Sequence, residues 1–497
     1  MPKRLRYAVP FLAAFLAMAV PTGEARSGEP DKSGVQTANE PAAASAAPQT
    51  KYLEAVLGCL DTLIREGTDR YGSEHSPMFS SILDLKAHRM PEKSPSLLPG
   101  QRAVDRAFPG GNLQHDLHTL LLMDHVSRIT ADPRYRRAAD AYLEFFLRRC
   151  AAAGNGLFPC GEHAFWDFNQ EKIGGLPVHE DLGHVPAEFL DRLWAVRPEA
   201  VEKHIRALIR HFLEGPKWIW NRHANILDDK RPKQPAPFPR AGGFYLYHWV
   251  YLYTKTHDPQ LLDWARRTAE LHERTPHSVL SLGLSMLRAN ELLGNERLPE
   301  FDRLGRDYLQ PLAEDKANDL KRGFFSMFTI YERLAQGDPK DYRPDPNRTY
   351  GFWDLLYTGS GGYGFLGAES MAIHCLCAHR LTGSPAHLEL ARAVCQFYLD
   401  HPRPDVAGIT PGKLAGQMAL ALDLYDLTRE EKYRQYARDT ADFALQSLYS
   451  QGLFRAATGA DYYEAANGTG LLLIELLRLH LLQTGSNDRL PWSYNNT

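Results

Sequence analysis

Apolar positions along this chain recur at helical spacing. Tyr135, Ala138, Ala139, Tyr142, Phe145 and Phe146 fall at i, i+3, i+4, i+7, i+10 and i+11. Leu261, Trp264, Ala265, Thr268 and Ala269 repeat the pattern, as do Tyr433, Tyr436, Ala437 and Ala444. A single apolar stripe on a polar helix marks an element buried on one side only. Other stretches, at 117–123, 244–253 and 415–424, are apolar nearly all round and read as fully buried helices. The two kinds alternate, and a turn signal joins them. Thr130-Ala131-Asp132-Pro133, Thr256-His257-Asp258-Pro259 and Thr382-Gly383-Ser384-Pro385 each put an acid or hydroxyl where it caps free N–H groups, with Pro at a first helical position. Thr428-Arg429-Glu430 is a weaker version, and Arg197-Pro198 and Leu298-Pro299 mark two further helix starts.

A buried helix, a tight turn and a half-exposed helix thus form a repeating unit, and segments 51–66 and 470–482 supply helices to close a ring. The fold class expected is all-α, an (α/α) toroid of six or seven helical hairpins. An open solenoid would show regular repeat spacing; here the spacing is irregular and the connections very unequal. No strand period competes.

Connections within each hairpin are short, whereas those leading to the next buried helix are long: 67–112, 150–184, 214–242, 319–364 and 449–465. In a toroid these long segments emerge on one face, and loops held by a rigid scaffold are where chemistry concentrates. The richest of them runs Gly161-Glu162-His163-Ala164-Phe165-Trp166-Asp167 and then His179-Glu180, with His184 beyond. The others add Arg89, His115, Asp116, Arg222, His223, Arg240, Tyr245, Tyr350, Tyr363, Glu369 and Tyr463. Gly110-Gly111-Asn112 and Gly242-Gly243 precede buried helices, where glycine either lets backbone approach a ligand or serves a turn.

Aromatic faces beside acids and cations suit a sugar, and Arg suits a carboxylated one because its planar fork matches a carboxylate. Substrate contacts are expected from Arg89, Trp166, His223, Arg240, Tyr245, Tyr350, Tyr363, Glu369 and Tyr463. Glycoside hydrolysis needs one carboxylic acid and one carboxylate; Glu162 and Asp167 are the first candidates, Asp116 and Glu180 the next. Elimination from a uronate needs a base and a cation that neutralises the carboxyl group; His115, His179 or Tyr245 would serve as base and Arg240 or Arg89 as neutraliser. His179-Glu180 followed by His184 departs from the zinc-protease helix motif, since the histidines stand five apart and Gly183 intervenes. No metal or cofactor is therefore expected.

Composition narrows the partners. A formal charge of -3, from 57 basic and 60 acidic residues, argues against a nucleic-acid or membrane-surface partner. Residues 1–25 carry Lys3-Arg4-Leu5-Arg6, a short apolar run and Gly23-Glu24-Ala25, the layout of a secretory signal. Residues 26–50 form a polar, Ala- and Pro-rich linker, 51–485 the toroid and 486–497 a tail. A periplasmic or secreted protein is expected. The 6 cysteines are too few for a disulfide scaffold, although Cys150 and Cys160 flank a loop that a local bridge could close.

With the hairpin pattern and the segment 161–167 in view, the chain resembles the six-hairpin glycosidase superfamily across roughly 51–485. The resemblance implies sugar chemistry and a uronate-directed, glucuronidase-like hydrolase acting on an acidic oligo- or polysaccharide. A polysaccharide lyase of similar fold is the rival enzyme. A glycan-binding toroid without turnover is the rival outside enzymology.

Overall fold

The computed structural model describes residues 50–98, 101–180, 185–237, 239–270, 279–309, 368–400, 403 and 407–490. In chain order its helices are α1 Lys51–Arg65, α2 Leu113–Thr130, α3 Arg134–Phe145, α4 Ala187–Val196, α5 Pro198–Ala207, α6 Pro239–Thr256, α7 Pro259–Glu270 and α8 Val279–Leu293. They continue with α9 over 299–309, α10 Ala368–Thr382, α11 Pro385–Asp400, α12 Pro411–Thr428, α13 Glu431–Ser447 and α14 Thr469–Gln483.

The turn signal read from sequence is one structure built four times. Thr130, Thr256, Thr382 and Thr428 each donate their hydroxyl to the carbonyl four residues back, at 2.6 to 3.0 Å. Each hydroxyl oxygen also accepts from the backbone N–H two residues on, at 3.2 to 3.4 Å. The residue between reverses the chain with positive φ: Ala131 at 56°, His257 at 53°, Gly383 at 74° and Arg429 at 58°. Threonine thus satisfies the frayed end of one helix and starts the next.

α6, α8, α10, α12, α14 and α2 pack in that order side by side, and α4 with α5 spans the remaining gap between α2 and α6. These inner helices run parallel, while α3, α7, α11 and α13 return along the outside against their hairpin partners. Burial follows the sequence pattern: the first three and a half turns of α12 and the central part of α6 lie out of solvent, whereas α3, α7 and α13 bury one stripe. The short α4, which buries Phe189, Leu190 and Leu193, is the exception among the inner helices. The hairpin toroid expected from sequence is therefore present.

Short strands on the rim were not foreseen. β1 (Ile82–Asp84) pairs antiparallel with β9 (Tyr462–Glu464); β2 (Gly110–Gly111), β3 (Ala164–Asp167) and β4 (Lys172–Gly175) form a three-stranded sheet; β5 (Val178–His179) pairs with β6 (Ala224–Asn225); β7 (Tyr449–Ser450) pairs with β8 (Leu453–Phe454). Elements of two to four residues carry no readable alternation. The close approach expected at Gly110-Gly111 is to protein backbone: a Cβ on Gly110 would stand 2.0 Å from the Trp166 carbonyl oxygen. None of the cysteines is in a disulfide, and Cys150 faces the Met78 sulfur at 3.6 Å rather than Cys160.

At the end of the ring away from the rim, Arg478 of α14, its side chain only 10% exposed, pairs with Asp423 of α12 at 2.6 Å and Glu475 at 2.8 Å, both buried. Removing one member of such a group leaves a buried charge unpaired. Arg478→Met is expected to cost about 3–5 kcal/mol of folding stability, measured by urea unfolding at neutral pH, with Arg478→Lys losing less.

Candidate active site

Three rim segments are brought together by backbone. Gly161, at φ 102°, forms a parallel bridge with Glu180, and a Cβ on it would meet the Glu180 carbonyl oxygen at 2.3 Å. Asn112 caps α2 by accepting from the Gln114 N–H, and its amide donates to the carbonyls of Gly161 at 2.8 Å and Ala164 at 3.2 Å. The start of an inner helix thereby fixes the loop that carries Glu162 and His163. On the other side, β5 leads directly into Glu180, and β6 follows directly on Arg222-His223.

The result is a cluster centred on the Glu180 carboxylate, which is 3% exposed. His223 Nε2 lies 2.5 Å and His163 Nε2 3.1 Å from its Oε2, while Arg222 Nε stands 3.7 Å from Oε1. Burial alone would raise the Glu180 pKa; the hydrogen bonds of His163 and His223 and the charges of His223 and Arg222 outweigh it and hold the carboxyl well below the usual range. Beside it, Arg102 clasps Asp105 through two bonds of 2.7 and 2.8 Å and also pairs with Glu162, whose Oε2 is 4.0 Å from His163 Nε2. Arg102 is itself placed by Arg106, which is buried, bidentate on Glu464 at 2.9 Å, and bonded to the Tyr462 hydroxyl.

Two sets of side chains here have ligand spacing: His163, Glu180 and His223, and Asp105, Glu162 and His163, the atoms of each set within 4.8 Å of one another. The second set already holds a protein cation, the Arg102 guanidinium. The first offers two imidazole nitrogens and one carboxylate oxygen, a donor set suited to a divalent transition metal. His223 is about a third exposed, so the set opens toward solvent on one side. The sequence reading weighed Glu180 only with His179 and His184 and so expected no metal. Its neighbours are His163, from earlier in the same connection, and Arg222 and His223, from the next one; Asp181 to His184 lie outside the described residues.

Of the expected site residues, Glu162, Glu180 and His223 are in the cluster. The others in view are elsewhere. Asp167 folds back to accept from Asn169 and Gln170 N–H at 2.9 Å each, so it shapes the β3–β4 turn. Asp116 is buried between helix layers, where the Tyr142 hydroxyl donates to it at 2.7 Å; burial pushes its pKa up to about 7. His115, also on α2, is held down at about 4 by burial. His179 and Tyr245 pack behind the cluster against His211, with ring centroids 5.0 and 4.8 Å from it. Trp166 is a core residue covered by Arg149, Arg89 is exposed, and Tyr463 is buried in β9. Glu369 pairs with Lys413 at 2.9 Å and accepts from the Tyr398 hydroxyl at 2.7 Å. Tyr350, Tyr363 and the Arg240 side chain lie outside the described residues. Arg102 and Asp105 were missed: nothing in 101–106 marks them, and it is long-range contacts such as Arg106–Glu464, made 358 positions apart, that bring them to the site.

For Asp116 the pH sign follows from its raised pKa. Its neutral form is compatible with burial, so stability is intact below 3.8 and is lost as pH rises through about 7. Wild type should lose stability relative to Asp116→Asn over that interval in paired thermal melts. A constant difference between the two would mean that Asp116 does not titrate in the folded protein.

Residues 105–286 match the model of a family described as periplasmic pectate lyase, a stretch that includes Asp105, Glu162, His163, Glu180, Arg222 and His223. A pectate disaccharide-lyase of Dickeya dadantii is 30% identical over 151 residues, which are 27% of this chain and 25% of that protein. The chain thus spans about a quarter of the length of the curated relative it matches. Among solved structures, a family 76 glycoside hydrolase from a bovine Bacteroides thetaiotaomicron strain shares 11% identity over 87% of this chain and 78% of its own, with a TM-score of 0.42. A cellobiose 2-epimerase from Spirochaeta thermophila shares 12% identity over 87% of this chain and 97% of its own, with a TM-score of 0.43.

Proposed function

We propose that this chain is an exported carbohydrate-active enzyme that cleaves a uronic-acid polymer by β-elimination, with a divalent cation held by His163, Glu180 and His223. The observation that carries the reading is that cluster. In it two imidazoles converge on one carboxylate, a donor set suited to a divalent cation. The pectate lyase match over 105–286 contains every member of it and moves elimination ahead of the hydrolysis favoured by sequence alone.

In elimination, the bond between hydrogen and the carbon beside the uronate carboxyl breaks, the glycosidic C–O bond breaks, and a C=C bond forms between the two carbons. The proton passes to a base, and the departing sugar oxygen takes one from solvent. A cation at the cluster would neutralise the carboxylate and acidify that hydrogen. Glu180 fixes both imidazoles with one oxygen, so the three donors are preorganised. Arg222 sets a second positive group beside them, suited to a sugar carboxylate. Glu162, paired with Arg102 and 4.0 Å from His163 Nε2, is the carboxylate placed to accept the proton.

Polygalacturonate incubated with the full chain and Mn²⁺ should yield an unsaturated, ultraviolet-absorbing product, and a chelator should abolish it. Glu180→Gln should lower the rate at least about a hundredfold together with cation affinity. Glu162→Gln and Arg222→Gln should lower the rate while leaving cation binding in place. Saturated products, formed equally well with chelator present, would overturn the reading in favour of hydrolysis.

A further inference from the structure

We propose that His179 and His211 form a two-imidazole strut that positions Glu180 on one side and the Arg222-His223 pair on the other, and so sets the geometry of the cluster. The cation readout of this inference rests on the function proposed above; the geometry does not.

The donor order of the strut is fixed from one end. His211 Nδ1 lies 3.0 Å from the Asn221 carbonyl oxygen, which accepts only, so that nitrogen carries the proton. Burial keeps the ring uncharged, which leaves its Nε2 as a bare acceptor. His179 Nδ1 stands 2.8 Å from that atom and must therefore donate to it. Each end of the chain meets the main chain at the base of a cluster residue: His179 directly precedes Glu180, and Asn221 directly precedes Arg222 and His223. The backbone ladder between these segments is two residue pairs long, Val178 with Asn225 and His179 with Ala224. So short a ladder leaves register and tilt weakly specified. The strut adds a directional link beneath it, and the Asn221 N–H completes the tie by donating to the His211 carbonyl at 2.9 Å.

The surroundings hold the rings in that orientation. His204 packs against His179 with centroids 5.4 Å apart, and its Nδ1 is occupied by the Phe158 N–H at 3.0 Å. Tyr245 covers His211. Apolar side chains would fill this volume without desolvating two imidazoles, a burial tolerated only when the ring nitrogens are bonded. What the imidazoles add is one permitted donor–acceptor order. His179 and His211 are thus positioning residues.

The test compares His179→Asn with His179→Leu, near-identical in shape, in the full chain. Asn retains an N–H close to the place of Nδ1; Leu has none. Mn²⁺ affinity by titration calorimetry should fall about tenfold to a hundredfold in the Leu variant, with Asn recovering most of the loss. Equal affinities in the two variants would overturn the strut. Wild type that binds no Mn²⁺ would remove the cation reading alone. The strut is then judged on the ¹⁵N–¹H ring resonances of His163 and His223: these shift in Leu but not Asn if it holds, and stay unmoved in both if it does not. If the Leu variant fails to fold, His211→Asn and His211→Leu provide the same comparison.

Discussion

The ionised carboxylate of Glu180 is the constraint around which the rim is arranged. A charge removed from water is tolerated only when donors replace the lost hydration. Glu180 finds them in His163, His223 and Arg222, which arrive from two loops separated by nearly sixty positions in the chain. Folding of those loops and burial of that charge are therefore one event. The supporting contacts are backbone contacts for the same reason: Gly161 against Glu180, Asn112 against Gly161 and Ala164, and β5 against β6 hold the donors where the charge needs them.

The helical ring was legible because its period is long and its punctuation is chemical. Stripes such as Tyr135 to Phe146 name a half-exposed helix, and Thr-x-Asp/Ser names the turn, down to the weaker version at Thr428. The rim face was legible from loop length, and three of the cluster residues from their chemistry. The pairing of those residues was not. Asp167 and Glu162 look equivalent in sequence, five positions apart in one loop, yet one accepts from its own turn and the other meets Arg102. A local turn bond is within reach of any Asp, and nothing local says which acid will take it. Arg102, Asp105 and the partners of Glu180 are joined across distances that only tertiary packing sets.

The parallel run of the inner helices gives the two ends of the ring different electrostatics. Helix N-termini present partial positive charge and C-termini partial negative charge. The rim, where α2, α12 and α14 begin, carries the acids Asp105, Glu162, Glu180 and Glu464. At the far end, Arg478 sits in the last turn and a half of α14 among Asp423, Asp426 and Glu475. A guanidinium there answers both the carboxylates and the helix ends. Its burial makes it a determinant of stability at a distance from the chemistry, whereas Arg106 at the rim uses a similar bidentate pair with Glu464 to hold the segment that presents Arg102. The same kind of ion pair thus closes the ring at one end and aims a functional side chain at the other, because only the rim pair lies in a connection long enough to carry something besides the fold.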